Sequence, residues 1–139
     1  MDPIFKRVDH IGIAVPDLDV AMKFYEETFG MNVIHEEVNE EQGVRECMVA
    51  VDGGGAQLQL LAPTGPESTI AKFIAKRGTG IHHMALRVPD FAGTIATLKD
   101  SGARLLSEPR IGAGGHRYVF VHPASAGGVL LELIAHEHP

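Results

Sequence analysis

The chain reads as an α+β protein made of two tandem βαβββ units that form a curved mixed sheet around a cavity. Two strand-like runs, VDHIGIAV from Val8 and IHHMALRV from Ile81, each carry a histidine and lead through a Pro-Asp pair into a helical pattern. The spacing is constant. His10 and His83, Pro16 and Pro89, Asp17 and Asp90, and Gln59 and Glu132 all lie 73 positions apart. Gln59 and Glu132 also stand inside leucine-rich runs, where an unsatisfied amide or carboxylate costs on the order of a few kcal/mol to bury.

In the first unit, His10, Gly12 and Ala14 alternate with Ile11, Ile13 and Val15, as a strand with two unlike faces requires. Pro16 breaks the strand and Asp17 caps a helix in which Val20/Ala21, Phe24/Tyr25 and Thr28/Phe29 recur every four residues until Gly30. Strands follow near 32–38, 44–51 and 56–62, separated by the NEEQG turn and the run Gly53, Gly54 and Gly55. The second unit repeats the plan. A strand at 81–88 leads to a helix with Phe91, Ile95 and Leu98 on one face and Gly102 at its end, then strands near 103–106, 117–122 and 129–135, with GAGGHR as a turn. Between the units, Glu67 to Lys76 predicts a short helix burying Ile70, Phe73 and Ile74. The organisation expected is one domain, with repeats at about 6–63 and 79–136 joined by a helical linker at about 64–78.

A chain of 139 residues with 45% hydrophobic and 22% charged residues is long and apolar enough for a sizeable core. Its net charge of −6 argues against a nucleic-acid or membrane-surface partner. A single cysteine, Cys47, excludes an intrachain disulfide and suits a reducing compartment. The opening MDPIFKRVDH lacks the apolar run of a signal peptide, and no stretch approaches a membrane span. The expected location is the cytoplasm, or an organellar matrix if a leader has been removed.

The matched positions outline a metal site. A lone strand histidine more often hydrogen-bonds within a core, but four candidate ligands at equivalent repeat positions, His10, Gln59, His83 and Glu132, favour one divalent ion. Two imidazoles, an amide and a carboxylate leave such a site with a formal charge near +1, and octahedral coordination leaves two open positions. A carbonyl oxygen there is stabilised as its neighbouring carbon loses a proton. The ligand types suit Co, Mn, Ni, Zn or Mg and do not choose among them. The chemistry also needs a base. Glu46 shares a strand face with Met48 and Ala50, which makes it either an edge residue in water or a carboxylate held in the cavity.

The other histidines have structural readings. His82 points to the face opposite His83 and is expected to pack; His35 and His116 belong to the surface or loops, His136 and His138 to the tail. Cys47 belongs with the small hydrophobes of the covered face. The segment Gly112, Ala113, Gly114, Gly115 is either a backbone nest for an anion or a turn, and Lys72, Lys76 and Arg77 are either phosphate contacts or a solvated helix face.

DHIGIAV, EVNEEQGVRE, QLQLLAP, ESTIAKFIAKRGTGIHHMALRV, EPRIGAGGHR and HPASAGGVLLEL together resemble the methylmalonyl-CoA epimerases of the vicinal oxygen chelate superfamily, which includes glyoxalase I. The resemblance runs from Val8 to Leu133. It implies the glyoxalase-like fold, interconversion of (R)- and (S)-methylmalonyl-CoA through an enolate, and a homodimer. It also implies metal ligation by His10, Gln59, His83 and Glu132, with cobalt favoured. Glu46 falls on the family's catalytic glutamate, with Glu132 as the acid or base on the other side. Metal ligation lowers the basicity of Glu132, which leaves Glu46 the better base. Three other readings share the fold: a glyoxalase-like isomerase or lyase on another thioester or thiohemiacetal, a metal-free binding protein, and an extradiol dioxygenase, for which the fourth ligand Gln59 is one too many.

Overall fold

The computed structural model describes residues 4–112 and 115–136. Two compact units are distinguished, one of residues 10–82 and one of residues 83–139 together with the first nine. In the first, the strands are β1 (Arg7–Ala14, from His10 on), β2 (Asn32–Asn39), β3 (Val44–Ala50) and β4 (Gln57–Pro63), in the order β2-β3-β4-β1. Its helices are α1 (Leu18–Phe29) and α2 (Thr69–Arg77). The second has β5 (Gly80–Val88, from His83 on), α3 (Phe91–Asp100), β6 (Arg110–Ile111), β7 (Arg117–Val121) and β8 (Leu131–Ala135), in the order β5-β8-β7-β6. In each unit the first strand pairs in parallel with the last, and the other pairs are antiparallel. The repeat extends to the register. Gly12 lies opposite Gln59 in one unit and Ala85 opposite Glu132 in the other, the same pairing displaced by 73 positions.

Local chemistry starts α1 and α3 at the expected Asp caps, whereas α2 begins at Thr69, two residues later than expected, and α3 ends at Asp100 with Ser101 as its cap. Asp17 Oδ1 accepts from the Val20 N–H at 3.1 Å, Asp90 Oδ1 from Gly93 at 3.1 Å, and Ser68 Oγ from Ala71 at 3.0 Å. Each satisfies an otherwise unpaired N–H at a helix start, a bond worth about 1 kcal/mol. Gly30, at φ 66°, closes α1 in the left-handed conformation that glycine adopts without penalty.

Each unit buries the face of its sheet turned to its helix. Val15, Leu18, Cys47, Val49, Leu60 and Ala62 form one core under α1; Leu86, Val88, Phe91, Ile95, Val119, Val121, Leu133 and Ala135 form the other under α3. Full burial of a side chain such as Leu60 or Leu133 contributes about 1.5–3 kcal/mol. On the opposite face of the first unit, Ile70, Phe73 and Ile74 of α2 pack on Ala14, Val44 and Leu61.

Three details depart from expectation. The stretch 103–106 is not a strand: Leu105 makes one isolated bridge to Val121, Leu106 N–H donates to Phe120 O at 2.9 Å, and regular pairing resumes only at β6. Ser107–Pro109 interrupts it, proline having no N–H to give to a ladder. In α1 the face on the core is buried Leu18 with partly buried Ala21, Met22 and Tyr25, the i, i+3, i+4, i+7 stripe of a helix, while Val20 and Phe24 lie off that stripe and are exposed, as is Phe29 at the helix end. Finally, β2 carries a register shift between Ile34 and Glu37, where His35 takes φ 50°.

Candidate active site

The face of the first unit not covered by α1 carries His10 on β1, Gln59 on β4 and Glu46 on β3. His10 and Gln59 are diagonal neighbours across the β1/β4 pairing, and Glu46 lies opposite Leu61, one pleat along from Gln59. His10 is buried at 5% exposure, and Glu46 is half-buried. The Gln59 amide joins the two functions, since its Nε2 donates to Glu46 Oε2 at 3.1 Å. Its other end is unsatisfied. Among the described residues no donor reaches Gln59 Oε1, which is fully buried, a loss of about 1–3 kcal/mol for a carbonyl removed from water. Gly12 and Ala14, small and buried, share this face with His10.

In the second unit the equivalent diagonal holds His83 and Glu132. His83 Nε2 and Glu132 Oε1 approach to 3.3 Å, with side chains 4% and 13% exposed. Phe120, opposite Glu132 in the β7/β8 ladder, sets its ring edge-on to the His83 imidazole at 5.4 Å between centroids and fixes that ring. Each unit therefore presents a buried imidazole beside an oxygen donor. Imidazole nitrogen, amide oxygen and carboxylate oxygen are the ligand types of a borderline divalent ion, and an orphaned amide oxygen is the kind of atom such an ion satisfies.

The remaining candidates are placed as follows. Lys72, Lys76 and Arg77 are exposed on α2. In the glycine segment, Gly112 N–H donates to His116 O at 2.8 Å and Gly115 N–H to Gly112 O at 3.1 Å, so these two N–H groups close the turn itself; Ala113 and Gly114 lie outside the described residues. His82 packs edge-on against Phe73 of α2 at 5.0 Å. His35 is exposed, His122 Nδ1 accepts from the Ala124 N–H at 3.0 Å to cap a short 3-10 turn, and His138 lies outside the described residues. Cys47 is fully buried, and burial pushes its thiol from 9.0 up to about 11, so it is inert as a nucleophile.

Comparison with known proteins decides the family. Residues 9–120 match the Glyoxalase/Bleomycin resistance protein/Dioxygenase superfamily. The mitochondrial methylmalonyl-CoA epimerase of Bos taurus is 39% identical over 129 residues, covering 91% of this chain and 73% of the relative. The chain belongs to the methylmalonyl-CoA epimerase family. The crystal structure of the epimerase from Mycobacterium tuberculosis superposes with a TM-score of 0.90 at 46% identity, covering 97% of this chain and 91% of that one. A glutamate-to-glutamine variant of the Streptomyces coelicolor epimerase, in complex with 2-nitronate-propionyl-CoA, superposes at 0.85 with 46% identity, covering 94% and 97%. The protein has the epimerase fold, and no helix among its described residues is long and apolar enough to cross a membrane.

Beside this epimerase-family site stand residues that sequence reasoning missed. Arg87, two pleats along β5 from His83, donates through Nε to Asp9 at 2.9 Å and through Nη1 to the Ala135 carbonyl at 2.7 Å, and meets His116 Nδ1 at 3.4 Å. It ties the residue before His10 to the end of β8 and to the glycine turn. The available signal was alternation, since Arg87 shares the strand phase of His83 and Ala85. Tyr118 packs its ring against the Gly112 backbone and lies edge-on to Phe120 at 6.1 Å. Nothing in the sequence pointed to it.

Proposed function

We propose that the protein interconverts (R)- and (S)-methylmalonyl-CoA, with one divalent metal ion held by His10, Gln59, His83 and Glu132 and with Glu46 as the principal base. The observation that carries the reading is Gln59: its amide nitrogen is engaged by Glu46, while its buried carbonyl oxygen has no donor among the described residues. The matched register of the His83 and Glu132 pair in the other unit supports the same assignment. Cobalt is the favoured ion, with manganese, nickel, zinc and magnesium sharing the ligand preference. When bound, the ion supplies positive charge beside the thioester oxygen on which negative charge develops.

The chain's own residues then move the proton. The hydrogen between thioester and carboxylate is the acidic one, and Glu46 removes it to leave a planar enolate. Return of a proton to the opposite face, with Glu132 as donor, inverts the centre; return from Glu46 restores it. A nitronate is likewise a planar anion with its charge on oxygen, so the ligand named for the Streptomyces coelicolor relative supports an enolate route. Lys72 is the proposed CoA phosphate contact. The loop through Gly112, Ala113, Gly114 and Gly115 is the proposed substrate carboxylate contact. The family resemblance supports a homodimer, working in the cytoplasm or an organellar matrix.

The test is proton exchange. Metal-loaded protein incubated with (R)-methylmalonyl-CoA in D2O is expected to incorporate deuterium at the α-carbon and form the (S) epimer, with both lost on chelation. Exchange no faster than the enzyme-free blank, together with turnover of a glutathione thiohemiacetal, would replace the epimerase by a glyoxalase-like isomerase.

A further inference from the structure

Because a carboxylate only accepts hydrogen bonds, Glu46 decides which way round the Gln59 amide sits. Turning the amide over would set Gln59 Oε1 against a carboxylate oxygen, two acceptors facing one another at the distance of the present 3.1 Å bond. With the –NH2 end held, the carbonyl oxygen is presented on the other side, where it is buried and meets no donor among the described residues. An unanchored glutamine has no such preference and relieves its buried oxygen by rotating or flipping. From this geometry we infer that Glu46 has a second role: it is a positioning residue for the metal site, holding the Gln59 carbonyl oxygen in the orientation that ligates the ion. The proton-transferring group and the metal ligand are thus one hydrogen-bonded unit within the first repeat. The inference rests on the reading of Gln59 as a ligand and goes beyond it, since nothing in the proposed proton transfer requires Glu46 to affect metal affinity.

The equivalent position beside Glu132 needs no such device. A carboxylate offers two equivalent oxygens, and Glu132 already faces the His83 imidazole at 3.3 Å. An amide is the one ligand type here with a wrong end, and it is the amide that the structure anchors.

The test is metal affinity of the full-length protein without substrate. Metal-stripped wild type, Glu46→Gln, Glu46→Leu and Gln59→Leu are titrated with Co2+ by calorimetry, and the visible d–d spectrum of each cobalt form is recorded. A glutamine at 46 keeps an oxygen that can accept from Gln59 but also carries an –NH2 that can donate to the Gln59 carbonyl, and so permits the flipped amide. Glu46→Gln is therefore expected to bind Co2+ with an affinity between that of wild type and that of Glu46→Leu, which is expected to bind about 10–100-fold more weakly with an altered spectrum. Glu46→Ala, read the same way, replaces Glu46→Leu should the leucine variant fail to show the wild-type far-UV dichroism. Wild-type affinity and spectrum in Glu46→Leu, alongside weakened binding in Gln59→Leu, would overturn the positioning role while leaving Gln59 a ligand. No loss in Gln59→Leu, or no Co2+ binding by the wild type, would remove the ligand reading and this inference with it.

Discussion

Replacing Arg87 with methionine keeps the length of the side chain and removes everything its guanidinium holds. Asp9 loses its 2.9 Å partner while remaining only 15% exposed, and the Ala135 carbonyl loses a 2.7 Å donor. Breaking a buried pair by deleting one partner costs about 3–5 kcal/mol, largely because the remaining charge is stranded. Here the loss is partly relieved, because Arg7 stands 3.5 Å from the same carboxylate, although it is half exposed and such a pair returns about 1 kcal/mol at most. The orphaned carbonyl adds about 1 kcal/mol at the low end of its range. The net expectation is about 3 kcal/mol. For 139 residues at about 2.1 cal/mol/K each, the unfolding entropy is about 0.3 kcal/mol/K, so the midpoint falls by about 10 °C. Urea denaturation followed by circular dichroism gives the free energy directly. Changing Asp9 to leucine in the same chain removes the stranded charge, and the double variant is expected to recover part of the loss, with a coupling above about 1.5 kcal/mol. A loss below about 1 kcal/mol in Arg87→Met, or strictly additive losses in the double variant, would refute the claim that this partly buried pair fastens Asp9 to β5 and β8 within its unit.

Glu46→Gln is expected to lower kcat for epimerisation by about 10²–10⁴-fold while the protein stays folded, measured by α-proton exchange in D2O. Dialysis against a chelator is expected to abolish turnover, and addition of Co2+ to restore it within the dead time of a coupled assay. Because the thiol is raised to about 11 in the folded protein from 9.0, the unfolded chain ionises first on the alkaline side. The Cys47 contribution to stability is therefore intact below about 9 and lost as pH rises toward 11, and Cys47 is expected to react with a disulfide reagent at pH 8 only after denaturation. Gly43→Ala is expected to destabilise by about 1–3 kcal/mol in a thermal melt, since Gly43 has φ 67° and an added methyl would lie 3.0 Å from Ser68 Cβ, at the cap of α2.

Where the sequence was informative, the reason was periodic. The alternation in VDHIGIAV and IHHMALRV predicted strand phase, and the Pro-Asp pairs predicted helix starts, because both signals are local and the repeat supplies each twice. The same repeat matched His10 with His83 and Gln59 with Glu132, and the strand register places each histidine diagonal to its partner. What escaped depends on partners distant in the chain. That Arg87 reaches Asp9, 78 residues away, follows from which strands neighbour one another and not from either residue's surroundings in sequence. The orphaned oxygen of Gln59 was invisible for a related reason: the residue type announces an amide, but only the position of Glu46 says which end is taken. The misplaced strand at 103–106 shows the limit from the other side, where a fair local pattern was cut short by the turn at Ser107–Pro109.

The register shift in β2 bears on life at high protein concentration. In the strand order of its unit β2 pairs only with β3, so its other flank offers backbone donors and acceptors to any passing extended chain. His35, kinked at φ 50°, breaks the regular spacing of those groups midway, and Glu36 and Glu37 follow directly with like charges. A second strand laid along that flank would mate for two or three residues and then fall out of step against acid. The irregular strand is thus a poor template for edge-to-edge pairing.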